Sequence, residues 1–231
     1  LISLAAGYYR SSGDLTFIRA HYGDLATVSE VIVKLQDDDG LTWAKSDLQI
    51  KYLMDNCECY RGLKDWSYLL AEMGFEEQSD LYDSKAGLIK DGILNYFWDE
   101  DTACFAWAVD ADGTKYLPQQ GQAYPGFFAQ IYPVTYGVVP PASEEAVLAY
   151  KRINEGVPNW ALLEVGDSFP WAILGYAAVI MNDLSSADSF LGNCRSTYIL
   201  TGRYYPWSTF EDAFYIRACD ALRENISMMI I

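Results

Sequence analysis

Four acidic residues are placed where carboxyl chemistry is possible. Asp55 and Glu58 are three residues apart, on one face of a predicted helix whose early residues otherwise read Ile50, Tyr52, Leu53, Met54, Cys57 and Tyr60. A carboxylate on so apolar a segment must be paired or functional, because burying it alone is costly. The structural alternative pairs Glu58 with Arg61. Asp167 stands before Ser168-Phe169-Pro170-Trp171, where an acidic residue followed by an early proline predicts a helix start. Glu211 follows Ser208 by three, which is the capping-box spacing, and lies one turn from Trp207. Asp167 and Glu211 can each cap a helix and still take part in a reaction. Two carboxyl groups, one protonated and one ionised, are the equipment of general acid and base catalysis.

Flat aromatic side chains accompany these acids. Trp43, Trp107, Trp160 and Trp207, with Tyr204 and Tyr205, fall in irregular stretches between helices. Tyr124 and Gln130 lie on an apolar segment, where core packing and ligand contact compete as explanations. The candidate acids are therefore Asp55, Glu58, Asp167 and Glu211. The candidate binding residues are Trp43, Trp107, Tyr124, Gln130, Trp160, Tyr205 and Trp207.

The elements that position them are helical almost throughout. Hydrophobic periodicity predicts helices over 1–11, 14–36, 49–73, 76–98, 118–138, 142–155, 167–181, 183–199 and 208–229. Segments 118–138 and 167–181 are apolar nearly all round, as buried helices are, whereas 14–36, 76–98 and 142–155 carry charged faces. Tight turns at Ser12-Gly13-Asp14, Met73-Gly74-Phe75, Val139-Pro140-Pro141 and Met181-Asn182-Asp183 alternate with longer connections over 37–48, 99–117, 155–166 and 201–207. If successive helices reverse direction, the long, tryptophan-bearing connections gather at one end and form an aromatic, acidic mouth. Helix N-termini converging there would favour carboxylates by about 0.3–1 kcal/mol each. One short β-hairpin is expected near 103–116, where Asp110-Ala111-Asp112-Gly113 reads as its turn and not as a calcium loop. Asp37-Asp38-Asp39 reads as a solvated loop ending at Gly40.

Bulk properties narrow the partners. The chain has 231 residues, half of them hydrophobic, enough for one large domain over 1–231. A formal charge of −16 excludes a nucleic-acid backbone or an anionic membrane surface as the expected partner and favours a neutral or cationic ligand. Five cysteines without a CxxC pair, and one histidine, argue against a zinc site. Free thiols in a reducing, cytoplasmic setting are expected, with no metal and no cofactor. No run approaches the roughly 20 apolar residues of a membrane span. Residues 1–10 already read as the inside of a helix, so a chain lacking its N-terminal hairpins is expected.

Several runs resemble the six-hairpin glycosidases. They are Tyr8-Tyr9 with Gly13-Asp14, Phe17-Ile18 and His21-Tyr22; Asp39-Gly40-Leu41; Tyr52 to Glu58 with Gly62-Leu63; Tyr124-Pro125 with Ala129-Gln130; and Tyr205-Pro206-Trp207. The resemblance implies an all-α (α/α) toroid of helical hairpins, incomplete in this chain. It also implies a glycoside hydrolase that acts on a poly- or oligosaccharide through two carboxylates, with one of Asp55 or Glu58 set against Asp167 or Glu211. Toroidal sugar epimerases and lyases usually employ histidine, and His21 has no second histidine beside it. An epimerase or lyase, or a toroid that binds carbohydrate without catalysis, are the alternatives.

Overall fold

A computed structural model describes residues 1–229, with side chains described through Glu224. It is mostly α-helical with a few short strands, and it divides into two compact units. The first comprises Leu1–Asp99 and Ala106–Tyr116; the second comprises Glu100–Phe105 and Leu117–Ile231. No described helix is long and apolar enough to cross a membrane.

The first unit opens with helices α1 (Ile2–Ser12), α2 (Leu15–Ala20) and α3 (Tyr22–Leu35). Gly13, at φ 67°, ends α1 in the left-handed region and donates its N–H to the Tyr9 carbonyl at 2.7 Å. The Asp14 carboxylate then accepts from the N–H groups of Thr16 and Phe17 and starts α2. The predicted single helix over 14–36 is thus two helices that meet at His21. Helix α4 (Leu53–Glu72) turns at Gly74, φ 85°, into α5 (Glu76–Gly92), which continues as a π turn over Ile93–Phe97. Trp66, Leu69 and Leu70 of α4 are buried against Ile18 and Leu25.

Residues 50–52, predicted as the start of a helix, form strand β1 (Ile50–Tyr52). It pairs antiparallel with β2 (Ala108–Asp110), which pairs with β3 (Lys115–Tyr116) through the expected Asp110–Gly113 turn. Helical spacing of apolar residues hid the change of structure at Tyr52. Only at Leu53, whose N–H donates to the Trp107 carbonyl at 3.0 Å, does the helix begin.

Two braces hold the loop over 37–48 to this frame. Lys51, almost fully buried, donates to Asp37 at 2.7 Å and Asp39 at 2.5 Å, and its ammonium sits 4.0 Å from the centre of the Trp43 ring. The Lys51 ammonium holds the Asp37 carboxyl below the ordinary carboxylate range. The acidic triplet expected to be a solvated loop is therefore a clamp. Asn56, fully buried, takes the Thr42 N–H at 2.7 Å and donates to the Thr42 and Tyr52 carbonyls.

The second unit contains α6 (Tyr132–Thr135), α7 (Glu144–Gly156), α8 (Ile173–Ile180), α9 (Leu184–Cys194) and α10 (Thr209–Met229). Ser143 and Asp183 cap α7 and α9 through the N–H groups of Ala146 and Ser186. Helices α8 and α9 approach closely at Gly175, where a methyl group would stand 2.7 Å from the Phe190 ring. The continuous helices predicted over 118–138 and 167–181 are both interrupted. Pro125 removes a backbone donor and holds Tyr124 out of the helical region within the π turn over Ala123–Phe127, while Pro133, also without an N–H, sits in the first turn of the short α6. Pro170 and a left-handed Trp171 delay α8 to Ile173.

Asn56→Ala should lower stability by about 2 kcal/mol, because the buried Thr42 N–H loses its partner. Thermal unfolding of the variant checks this, and an unchanged midpoint would refute the brace.

Candidate active site

A cavity of about 480 Å³ in the second unit is lined by Tyr124, Tyr132, Asp167, Phe169, Trp171, Ser208, Phe210 and Glu211. Four pieces of chain supply it: the π turn carrying Tyr124, α6 with Tyr132, the irregular segment before α8, and the start of α10 with Ser208 before it.

Trp171 organises the cavity. Its backbone φ is 58°, a conformation that costs a bulky L-residue of order 1–3 kcal/mol and persists only where surroundings enforce it. The indole lies 5.3 Å from the Tyr124 ring and 4.7 Å from Phe128, and its N–H donates to Asp167 at 3.2 Å. The other Asp167 oxygen accepts the Phe169 N–H at 3.2 Å, so the acid closes the turn on itself.

Glu211 holds the far end of this segment. It is 2% exposed and accepts the Ala172 N–H at 2.5 Å, with the Trp171 N–H as a second donor. Its own N–H makes a long 3.5 Å contact with the Ser208 hydroxyl, so the expected cap is present but loose. Burial pushes the Glu211 carboxyl above its ordinary value. The two backbone donors pull the other way and lose, while the charge of Asp167 adds to the rise. The site therefore joins a carboxyl with proton affinity above the ordinary glutamate value to a second carboxyl and to two ring faces. Among the described residues, no group of three His, Cys, Asp or Glu side chains is placed to hold a metal ion.

Asp167, Glu211 and Tyr124 thus line one cavity, and Tyr205 reaches its rim with a ring centre 5.9 Å from Phe169. The other candidates of this unit are inside it. Trp160 is buried against Phe190 and donates its indole N–H to Asn154 at 2.8 Å. Gln130 is buried and brackets Phe105, accepting its N–H and donating to its carbonyl. Trp207 is buried, stacked 5.2 Å from Tyr198, with its indole on Asp212.

Asp55, Glu58, Trp43 and Trp107 belong to the first unit. Asp55 lies in the first turn of α4 and Glu58 one turn later, both exposed at the surface. Trp107 stacks on Tyr52, with ring centres 6.2 Å apart and planes 8° from parallel. Arg61 forks onto the buried Asp65. Sequence reading missed Trp171, Phe169 and Phe210. The available signal was a proline flanked by two aromatic residues directly after an acid.

The sequence matches no family model and no curated protein. Among solved structures it is similar to a family GH78 rhamnosidase of Bacillus sp. GL1, with a TM-score of 0.60 and 17% identity over 88% of this chain. The match spans 21% of that enzyme's chain, about a fifth of its length. At this identity the likeness establishes a shared fold for the matched stretch, related to that of a glycosidase.

A carboxyl whose proton affinity rises on folding destabilises the folded state once it must ionise. Below the ordinary value of 4.5 there is no penalty, and stability falls as pH rises from there through the raised value. Glu211→Gln should remove this slope, so the variant gains stability relative to the parent as pH rises. Denaturant titrations across that range would show it, and a pH-independent difference would contradict the assignment.

Proposed function

We propose that the cavity of the second unit hydrolyses a glycosidic bond, with Glu211 as proton donor and Asp167 as the facing carboxylate. One observation carries this reading: a buried glutamic acid with raised proton affinity shares an aromatic-walled cavity with a second carboxyl group. Glycoside hydrolysis asks for that division of labour, since the departing oxygen needs a proton while positive charge builds on the ring it leaves. Glu211 gives its proton to the bridging oxygen as the bond to the anomeric carbon breaks. Asp167 stabilises the resulting oxocarbenium character. It then either takes a proton from the attacking water or bonds the carbon itself until water displaces it. A separation of about 6.5–9.5 Å between the carboxyl groups favours the first course and about 5–5.5 Å the second. Tyr124 and Trp171 offer the ring faces on which a sugar stacks.

Support comes from the fold shared with the rhamnosidase over the matched stretch and from the runs that resemble those of six-hairpin glycosidases. A carbohydrate-binding protein without catalysis is the second reading. It is favoured by the structural duties of both acids, since Glu211 satisfies backbone donors and Asp167 holds an indole.

Turnover of a panel of 4-nitrophenyl glycosides, the α-L-rhamnoside included, separates the two. Glu211→Gln and Asp167→Asn should each lower kcat about 10²–10⁴-fold with the fold retained. The parent should also lose activity as pH rises through the Glu211 range. Sugar binding without turnover in the parent would establish the second reading.

A further inference from the structure

The turn over 201–207 presents two tyrosines to solvent in a way that folding does not require. Tyr204 is 75% exposed and Tyr205 is 81% exposed. Adjacent aromatic rings left this open gain nothing from the core, so their contribution lies elsewhere. The turn that carries them is nonetheless well fixed. The Arg203 N–H donates to the Tyr198 carbonyl at 2.8 Å, and the Trp207 N–H to the Tyr204 carbonyl at 3.0 Å. Trp207 itself is buried beneath the turn, stacked on Tyr198 and hydrogen-bonded to Asp212 at 2.9 Å. Gly202, at φ 112°, allows the backbone to pass beside the Tyr204 ring, where a methyl group would come within 2.9 Å of it.

Tyr205 of this pair adjoins the cavity. Tyr205 lies in edge contact with Phe169, at 5.9 Å and 76°, and Phe169 lines the cavity that holds Asp167 and Glu211. Tyr124, half of whose surface is open, lines the same cavity and stands against Trp171. Aromatic rings therefore lead from the cavity to the surface through Phe169 and Tyr205, with Tyr204 next in the chain. Such a track suits a chain of sugar units, whose apolar faces stack while their hydroxyls stay in water.

We propose that Tyr204 and Tyr205 form an outer carbohydrate platform, so that the ligand of this cavity is an oligosaccharide that extends past the cavity rim and not a lone terminal sugar on a small aglycone. The proposal rests on the carbohydrate reading of the cavity and names the class of its substrate. Preorganisation explains the turn: rings already held in place lose little freedom when a sugar settles on them.

The test measures dissociation constants by calorimetry for two probes, a 4-nitrophenyl monosaccharide glycoside and a trisaccharide ending in the same sugar. The parent chain should bind the trisaccharide about tenfold more tightly than the monosaccharide. Tyr205→Ala should collapse that ratio towards one, while Tyr205→Phe, which keeps the ring, should retain it. Circular dichroism confirms that the variants fold. Equal affinities in the parent, or a preference that survives Tyr205→Ala and Tyr204→Ala together, would overturn the platform. So would a concentration-dependent dimer that dissociates on Tyr205→Ala without any length preference, because the rings would then belong to a second copy. Length-dependent binding without turnover of either probe removes the hydrolase reading and leaves the platform standing. Absence of binding to both probes removes both.

Discussion

Glu211 is a carboxyl group with almost no access to water, and the second unit is arranged around that fact. A buried carboxyl needs donors, and the donors it finds are consecutive backbone N–H groups at the approach to α8. Those groups point at Glu211 because Trp171 turns left-handed, which no bulky residue does without external restraint. The left-handed turn in turn throws the indole across the cavity, where Asp167 takes its N–H and Tyr124 and Phe128 meet its faces. One acid thus fixes the backbone, the backbone fixes the indole, and the indole fixes the other acid. Burial wins over the hydrogen bonds in raising the proton affinity of Glu211, so the restraint that shapes the cavity also shifts the acid's titration upward.

The broad architecture was legible in the sequence because helix punctuation is local. Gly13 and Asn182 adopt the left-handed conformations that their turns demanded, and Asp14, Ser143 and Asp183 cap the helices they precede. The hairpin over 108–116 was readable from Asp110-Ala111-Asp112-Gly113. Misreadings arose where a property of the whole segment masked a single residue. The apolar run over 118–138 looked like one buried helix, yet Pro125 interrupts it and Pro133 sits in the first turn of the short α6. The stretch over 50–52 looked helical because Ile50 and Tyr52 extend the apolar spacing of Leu53 and Met54 back beyond the true helix start.

Site residues were readable to the extent that their surroundings were. Asp167 and Glu211 could be singled out by position in the chain, whereas their approach to one cavity depends on the strained Trp171 backbone, which no local pattern reveals. Tryptophan in a loop was a poor guide to exposure. Trp160 and Trp207 each have an indole N–H satisfied by a nearby side chain, Asn154 and Asp212, and with that partner the ring can be buried. Trp43 followed a third course, facing the ammonium of a lysine that two aspartates had drawn inside.

That lysine clamp ends at Gly40, whose φ of 87° already disfavours any side chain. Space forbids one as well, since a methyl group there would stand 2.3 Å from the Leu88 carbonyl oxygen of α5. Residues 45–49 of the same loop are exposed. Evolutionary drift in this connection consequently has a one-sided outlet: length and composition can wander between Lys45 and Gln49, while the junction with α5 admits hydrogen alone.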